Sequence, residues 1–283
     1  MTNTNNDKLF LEVKDHSVSG EQFKLYHDTD LDLLYTFPKP EGEKLASYYE
    51  SDDYISHTDG KRSVFEKVYH FVKKIALKNK LKLVNSLQSS KGNLLDIGAG
   101  TGDFLAVAKS DGWKVSGIEP SEKAKSIAVS KGVSFSDATE TYPAKSFDAI
   151  TMWHVLEHVP NPSQQLAELK RLLKPNGVIL IAVPNFKSED AKTYGEHWAA
   201  FDVPRHLWHF SKTSIEKLSA QNGLKLEKTL PMPFDAFYVS LLSEKYKKGG
   251  MKPVSAFLNG LKSNMKARKT GEFSSLIYVI RNQ

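Results

Sequence analysis

The chain contains no cysteine. That absence excludes disulfides, thiolate metal ligands and cysteine nucleophiles together, leaving carboxylates, imidazoles, amines or a bound cofactor to carry chemistry. No apolar run approaches the roughly 20 residues that a membrane-spanning helix needs. The first residues, Met1 to Asp7, hold neither a basic cluster nor an apolar stretch. The expectation is a cytoplasmic protein with no signal peptide. There is also no internal repeat, and 283 residues suffice for a substantial core without staples.

Charge is present but unevenly spread. The net value of +6 conceals thirteen acids against five bases in residues 1–60. Residues 61–82 and 241–270 each carry eight bases and one acid. Such runs suit solvated helix faces, or an anionic substrate or surface. Few aromatic residues interleave with them, which argues against a single-stranded nucleic acid partner.

The most informative stretch is Asn93 to Leu105, N-L-L-D-I-G-A-G-T-G-D-F-L. A buried strand carrying one acid, Asp96, breaks at Gly98, Gly100 and Gly102 and restarts as a helix. Glycine allows unusual dihedrals and close ligand approach, and the helix start offers partial positive charge. The block reads as a nucleotide-cofactor cradle. A dinucleotide fingerprint requires G-x-G-x-x-G, whereas here the spacing is G-x-G-x-G and Asp103 stands at the third position. A carboxylate there suits a pyrophosphate poorly and a sulfonium better. Glu119, ending the apolar stretch from Trp113, can accept both hydroxyls of an adenosine ribose; that property fits NAD equally well.

The block L-L-D-I-G-A-G-T-G-D-F-L, the later I-E-P-S, the stretch S-F-D-A-I-T-M-W-H-V-L-E-H-V (146–159) and L-K-R-L-L-K-P-N-G-V-I-L-I-A-V-P-N (169–185) resemble four motifs of the class I S-adenosylmethionine-dependent methyltransferases, in that family's order. The resemblance is to the small-molecule branch that includes ubiquinone-biosynthesis O-methyltransferases. It implies S-adenosyl-L-methionine as cofactor and S-adenosyl-L-homocysteine as product. It also implies that Gly98 and Gly100 lie against the methionine part, that Asp96 receives the amino group, that Glu119 with Pro120 holds the ribose and that Asp137 lies near the adenine amine. Trp153 and His154 would stand at the active-site mouth. In similar methyltransferases a cysteine-bearing zinc ribbon often precedes the domain; here the cysteines are missing.

The expected fold is α/β, a doubly wound, mainly parallel seven-stranded sheet of the Rossmann-like methyltransferase kind with a small N-terminal β-rich extension. Residues 8–37 alternate as an antiparallel meander, and 41–49 read as a short helix. The division expected is 1–60 for this extension and 61–283 for the methyltransferase domain. Within the latter, 61–91 is a covering helix with Phe65, Val68, Val72 and Ile75 on one stripe, and 241–272 is a basic helical insert. Strands are expected at 93–97, 114–119, 133–136, 147–152, 177–183, 224–230 and 274–281.

His154-Val-Leu-Glu157-His158 matches the H-x-x-E-H zinc-protease motif letter for letter. That motif needs a long helix, and Pro160 and Pro162 forbid one; no metal is assigned. Residues 197–210, with His197, His206, His209, Asp202 and Arg205, follow the fifth strand of the domain, where doubly wound sheets place substrate-facing loops. They are read as a substrate wall or, alternatively, as a hydrogen-bonded loop anchor, and His154, His206 and His209 are the candidate catalytic groups should the acceptor hydroxyl need a base. The Asn-Pro-Pro-aromatic signature of amino-methylating enzymes is absent after the fourth strand, which shifts weight to oxygen or carbon acceptors. The function expected is methyl transfer to a small molecule. An RNA or protein methyltransferase, a non-catalytic cofactor binder and a nicotinamide dehydrogenase are the alternatives.

Overall fold

The computed structural model describes residues 7–49 and 64–283. The first elements are β1 (Lys8–Lys14), β2 (Gln22–Asp28), β3 (Leu33–Phe37), α1 (Gly42–Ser47) and α2 (Val64–Ser86). The central part runs β4 (Asn93–Ile97), α3 (Asp103–Ser110), β5 (Lys114–Ile118), α4 (Glu122–Ser130), β6 (Ser134–Ser136), β7 (Phe147–Trp153), α5 (Pro162–Leu172) and β8 (Leu173–Pro184). Then follow α6 (Glu189–Tyr194), β9 (Trp208–His209), α7 (Lys212–Gln221), β10 (Leu224–Pro231), α8 (Asp235–Lys248), α9 (Pro253–Thr270) and β11 (Ser275–Asn282).

Alternation within the strands decides the layers. In β8, Ile179, Ile181 and Val183 enter one core cluster while Val178, Leu180 and Ala182 enter another. Leu95 and Ile97 of β4 join the first cluster and Leu94 the second. A sheet buried on both faces needs helices on both. One face receives Leu77, Leu81 and Val84 of α2 with Phe104 and Ala108 of α3; the other receives Leu166, Leu169 and Leu172 of α5 with Ile215 and Leu218 of α7. Each fully buried leucine contributes roughly 1.5–3 kcal/mol.

The strand order is β10-β11-β8-β7-β4-β5-β6, with β11 antiparallel to both neighbours and the pairings from β8 to β6 parallel. This is the seven-stranded, mainly parallel arrangement expected. Local chemistry sets the helix starts. Asn161 caps α5 by accepting from Ser163 N and Gln164 N, with Pro162 in the first turn. Ser211 and Ser214 close a capping box on α7.

Two features depart from the sequence reading, and one part of it is not reached. The Pro175–Gly177 turn does not delay β8, which begins at Leu173 and absorbs the turn as an irregularity opposite Phe147 and Ala149. The basic insert is a helical pair that starts earlier than residue 241, at Asp235. Residues 50–63, and the side chains of Phe65 and Val68 in the expected stripe, lie outside what is described.

The N-terminal meander forms as expected, but it gains a fourth strand from far along the chain: β9 pairs with β3 through Leu34↔His209 and Tyr35↔Trp208. A third core cluster mixes Val13, Phe23 and Leu25 with Phe186, Trp198, Phe201 and Val203. Arg205 is buried and donates to Asp202 at 2.7 Å and to Asp15 at 3.1 Å, tying the β1–β2 turn to the 197–210 segment.

Candidate active site

Beyond β4 the chain turns through glycines with positive φ, and two of them have different reasons to be glycine. A Cβ on Gly98 (φ +69°) would lie 2.4 Å from Val155 Cγ2, so the turn has no room for one. At Gly100 (φ +53°) nothing lies within 4 Å, so its backbone faces open space. Gly98 N donates to the Ile118 carbonyl at 2.8 Å, and Gly100 N donates to Glu119 Oε2 at 2.8 Å. The other Glu119 oxygen accepts from Ser121 N at 3.0 Å, at the cap of α4. Each carboxylate oxygen keeps a lone pair for a further donor such as a sugar hydroxyl.

Asp96 is 2% exposed and accepts from Thr151 Oγ1 at 2.6 Å. Burial raises its pKa to about 7, against the opposing pull of Thr151 and of the Lys80 ammonium. Lys80 lies over the Trp153 ring, 4.3 Å from its centroid, and burial lowers its pKa while Asp96 and Asp235 hold it up. Trp153 packs edge-on against Phe104, and its buried indole N–H has no partner.

His154 ends β7 with φ +59°. Its Nε2 stands 3.1 Å from Asp235 Oδ2 and its Nδ1 3.4 Å from Glu157 Oε1. Burial works against its charge, but the bonds to Asp235 and Glu157 prevail and raise its pKa to about 10. The two carboxylates thus favour the imidazolium form of His154, which works against its acting as a proton acceptor.

Other expected residues are placed differently. Asp103 faces lysines: Lys131 at 2.6 Å and Lys73 of α2 at 2.7 Å. Its charge is thus neutralised within the protein, so its repulsion of a pyrophosphate does not separate the cofactors as the sequence argument supposed. The carboxylate of Asp137 is 96% exposed and pairs with Lys125 at 3.1 Å. Pro120 is exposed between Glu119 and Ser121.

The 197–210 segment is not an open wall. His206 is 9% exposed with Nδ1 on the Ala200 carbonyl at 2.9 Å, and His209 is 4% exposed with Nε2 3.1 Å from Thr36 Oγ1. Burial, and the neighbouring His206, hold the pKa of His209 well below its ordinary value. His197 stacks on His16 of the β1–β2 turn, ring centroids 5.4 Å apart. Glu157, His158 and His206 bring donor atoms within 4.8 Å of one another, the one such group among the described residues. His158 Nδ1 lies 3.0 Å from the Arg205 carbonyl, and apart from the ion pair of Oε1 with His154 neither Glu157 oxygen has a hydrogen-bond partner. The space lined by Val13, His16, Trp198 and Tyr246 is about 10 Å³, room for a water and not for an adenosyl group.

Sequence reasoning missed Lys80, Thr151 and Asp235. Lys80 had a signal: it falls three residues after Leu77 and four before Val84, on the apolar stripe of α2. Asp235 had none, because its partner is 81 positions away along the chain.

A doubly wound sheet with a glycine turn, a carboxylate after the second parallel strand and open space between them defines a nucleotide-cofactor enzyme of the α/β class. The chain belongs to the methyltransferase-domain family, whose model matches residues 65–229. A ubiquinone biosynthesis O-methyltransferase of Saccharophagus degradans is 34% identical over 167 residues, 52% of this chain and 70% of that protein. Its counterpart in Thiobacillus denitrificans is 29% identical over 162 residues, 50% of this chain and 68% of that one. The fold matches that of the magnesium protoporphyrin IX methyltransferase of Synechocystis, solved with bound SAH, at a TM-score of 0.55 and 15% identity, over 83% of this chain and 97% of that one. The protein is an S-adenosylmethionine-dependent methyltransferase, and the clear Cβ position at Gly100 next to Glu119, past the strand ends carrying Asp96 and Trp153, fits that cofactor. No helix among the described residues is long and apolar enough to cross a membrane.

Proposed function

We propose that this enzyme methylates a small-molecule acceptor at oxygen. The observation that carries the site assignment is the unobstructed Cβ position at Gly100, whose amide donates to Glu119, beyond the neighbouring strand ends that carry Asp96 and Trp153. In this reading Gly98 and Gly100 line the methionine portion, Asp96 takes the amino group, and Glu119 with Pro120 takes the ribose. Asp137 stands at the adenine end. Trp153 and His154 form the mouth. The oxygen assignment draws on the relatives named O-methyltransferases and on Trp153-His-Val-Leu156 in place of an amine-methylating signature.

When bound, the sulfonium supplies an electrophilic methyl group and a neutral leaving group. The protein's contribution is then alignment and exclusion of water, which carry much of the acceleration in such displacements. Trp153 offers its ring face to positive charge. A charged His154 donates hydrogen bonds and fixes Asp235; it takes no proton. His206 and His209, buried and bonded to Ala200 and Thr36, hold the 197–210 segment in place. Incubation with methyl-labelled cofactor and a panel of phenols, catechols and amines tests the proposal. Label on oxygen is the expected result, and label on amines alone would overturn the acceptor assignment.

A further inference from the structure

Helix α9 is packed the wrong way round for a helix whose partner is only its own protein. Its buried positions are Ala256, Gly260, Ser263, Asn264 and Ala267. Its large apolar side chains face out: Val254 at 73% exposure, Phe257 at 56%, Leu258 at 58%, Leu261 at 40% and Met265 at 60%. These fall at i, i+3, i+4, i+7 and i+11, one continuous stripe. Helix α8 repeats the pattern, burying Ala236, Ser240, Ser243 and Glu244. Phe237 of α8 stacks on Phe257 at 5.4 Å and joins the two outer surfaces. Small inner residues let α9 lie close against α8, and that packing leaves the apolar side unpartnered.

Charge says what covers it. Lys262, Lys266 and Lys269 form a row along one side of the stripe, with Lys252 and Arg268 on the same helix. Lys262 and Lys266 also meet Glu189 of α6, at 3.5 and 2.6 Å, while their side chains stay about half exposed; Lys269 has no such acid among the described residues. The single acid between residues 241 and 270, Glu244, is buried and paired to Lys248. A second copy docking here would set two strongly basic segments against each other. A nucleic acid would neutralise the lysines but gain nothing from an aliphatic stripe. An apolar stripe edged by lysines, on helices that do not span a bilayer, is the pattern of a helix lying in a membrane interface. We propose that α8 and α9 seat the enzyme on an anionic lipid bilayer. The first turn of α8 also carries Asp235, the partner of His154, so the docked face adjoins the mouth of the site. This inference is independent of which acceptor is methylated.

Co-sedimentation of the full chain with vesicles tests it. The protein is expected to bind phosphatidylcholine vesicles that contain phosphatidylglycerol, to release in high salt, and to bind pure phosphatidylcholine at least tenfold more weakly. The double variant Val254→Glu, Leu258→Glu alters two exposed positions; it is expected to keep the wild-type circular dichroism and S-adenosylhomocysteine affinity and to lose at least tenfold in vesicle binding. No binding by the wild type, or equal binding by the variant, overturns the proposal. A concentration-dependent dimer that the variant disperses overturns it as well and gives the face to a second copy.

Discussion

His154 Nε2 lies 3.1 Å from Asp235 Oδ2, joining the end of the β7 strand to the first turn of the α8–α9 helical pair. The bond crosses from the cofactor cradle to an appended element, so the charge state of the mouth depends on both. Asp235→Asn removes the strongest support for the imidazolium. The titration of His154, followed by NMR, is expected to fall from about 10 toward the ordinary histidine range. The raised value stabilises the fold fully below the ordinary histidine pKa, and that contribution is lost as pH rises through about 10. The variant is therefore expected to be less stable at pH 7, by about 1 kcal/mol because solvent reaches the ring. An unchanged titration would refute the coupling.

With Asp96 taking the amino group as proposed, cofactor binding is expected to depend on pH. With a pKa raised to about 7, its contribution to the stability of the free protein is greatest below the ordinary carboxylate range and is lost as pH rises through about 7. The ammonium group of the ligand prefers the ionised form, so affinity runs the other way. Binding of S-adenosylhomocysteine is expected to weaken by up to about tenfold per pH unit below 7. Asp96→Asn should flatten that profile. Lys80→Met removes a charge that favours ionised Asp96, and should move the inflection to higher pH in calorimetric titrations.

The two glycines should fail differently. Gly98→Ala places a Cβ against Val155 at a positive φ, and is expected to lower stability by about 1–3 kcal/mol. Gly100→Ala shares the strain of a positive φ, about 1–2 kcal/mol, but meets no neighbour, so the rest of its cost should fall on cofactor affinity. Thermal unfolding read with and without S-adenosylhomocysteine separates the two effects; equal losses of affinity at similar stability would contradict the distinction.

Arg205 anchors the N-terminal sheet to the 197–210 segment. Arg205→Met leaves Asp15 and Asp202 without their buried partner and should cost about 3–5 kcal/mol, measured by denaturant unfolding. Asp15 itself is lowered to about 2: burial opposes this, but the Ser19 amide and Arg205 outweigh it. Its stabilising contribution is complete above the ordinary carboxylate pKa and is lost as pH falls through about 2. Asp15→Asn should reduce the loss of stability between pH 4 and pH 2.

His209→Ala deletes a buried contact to Thr36 and should cost about 1–3 kcal/mol. If the residue only holds the segment, turnover at a temperature where the variant is folded should match the wild type. A large loss of kcat there would restore a catalytic role.

Much of the sheet was legible because its signals are local. The alternation of Val178 to Val183 and the caps at Asn161 and Ser211 each depend on neighbours a few residues away. The 197–210 segment was left open between a substrate wall and a loop anchor for the opposite reason. A polar, histidine-rich stretch looks like a solvent-facing loop until its partners are known, and those partners, Thr36 and Asp15, lie 173 and 190 positions away. Asp103 was read by charge alone; Lys73 of α2 and Lys131 at the end of α4 neutralise it and remove that argument, while the cofactor class it was used for stands on other grounds.

By itself the sequence determined the layer order, the glycine cradle and the carboxylate that follows it, because periodicity and turn chemistry act over a few residues. Only the tertiary structure decided that Lys80 and Asp235 stand at the mouth, that His154 is favoured in its charged form, that His206 and His209 are buried, and that α9 turns its apolar side outward. Those outcomes depend on which distant groups share a low-dielectric space, and no local pattern encodes that.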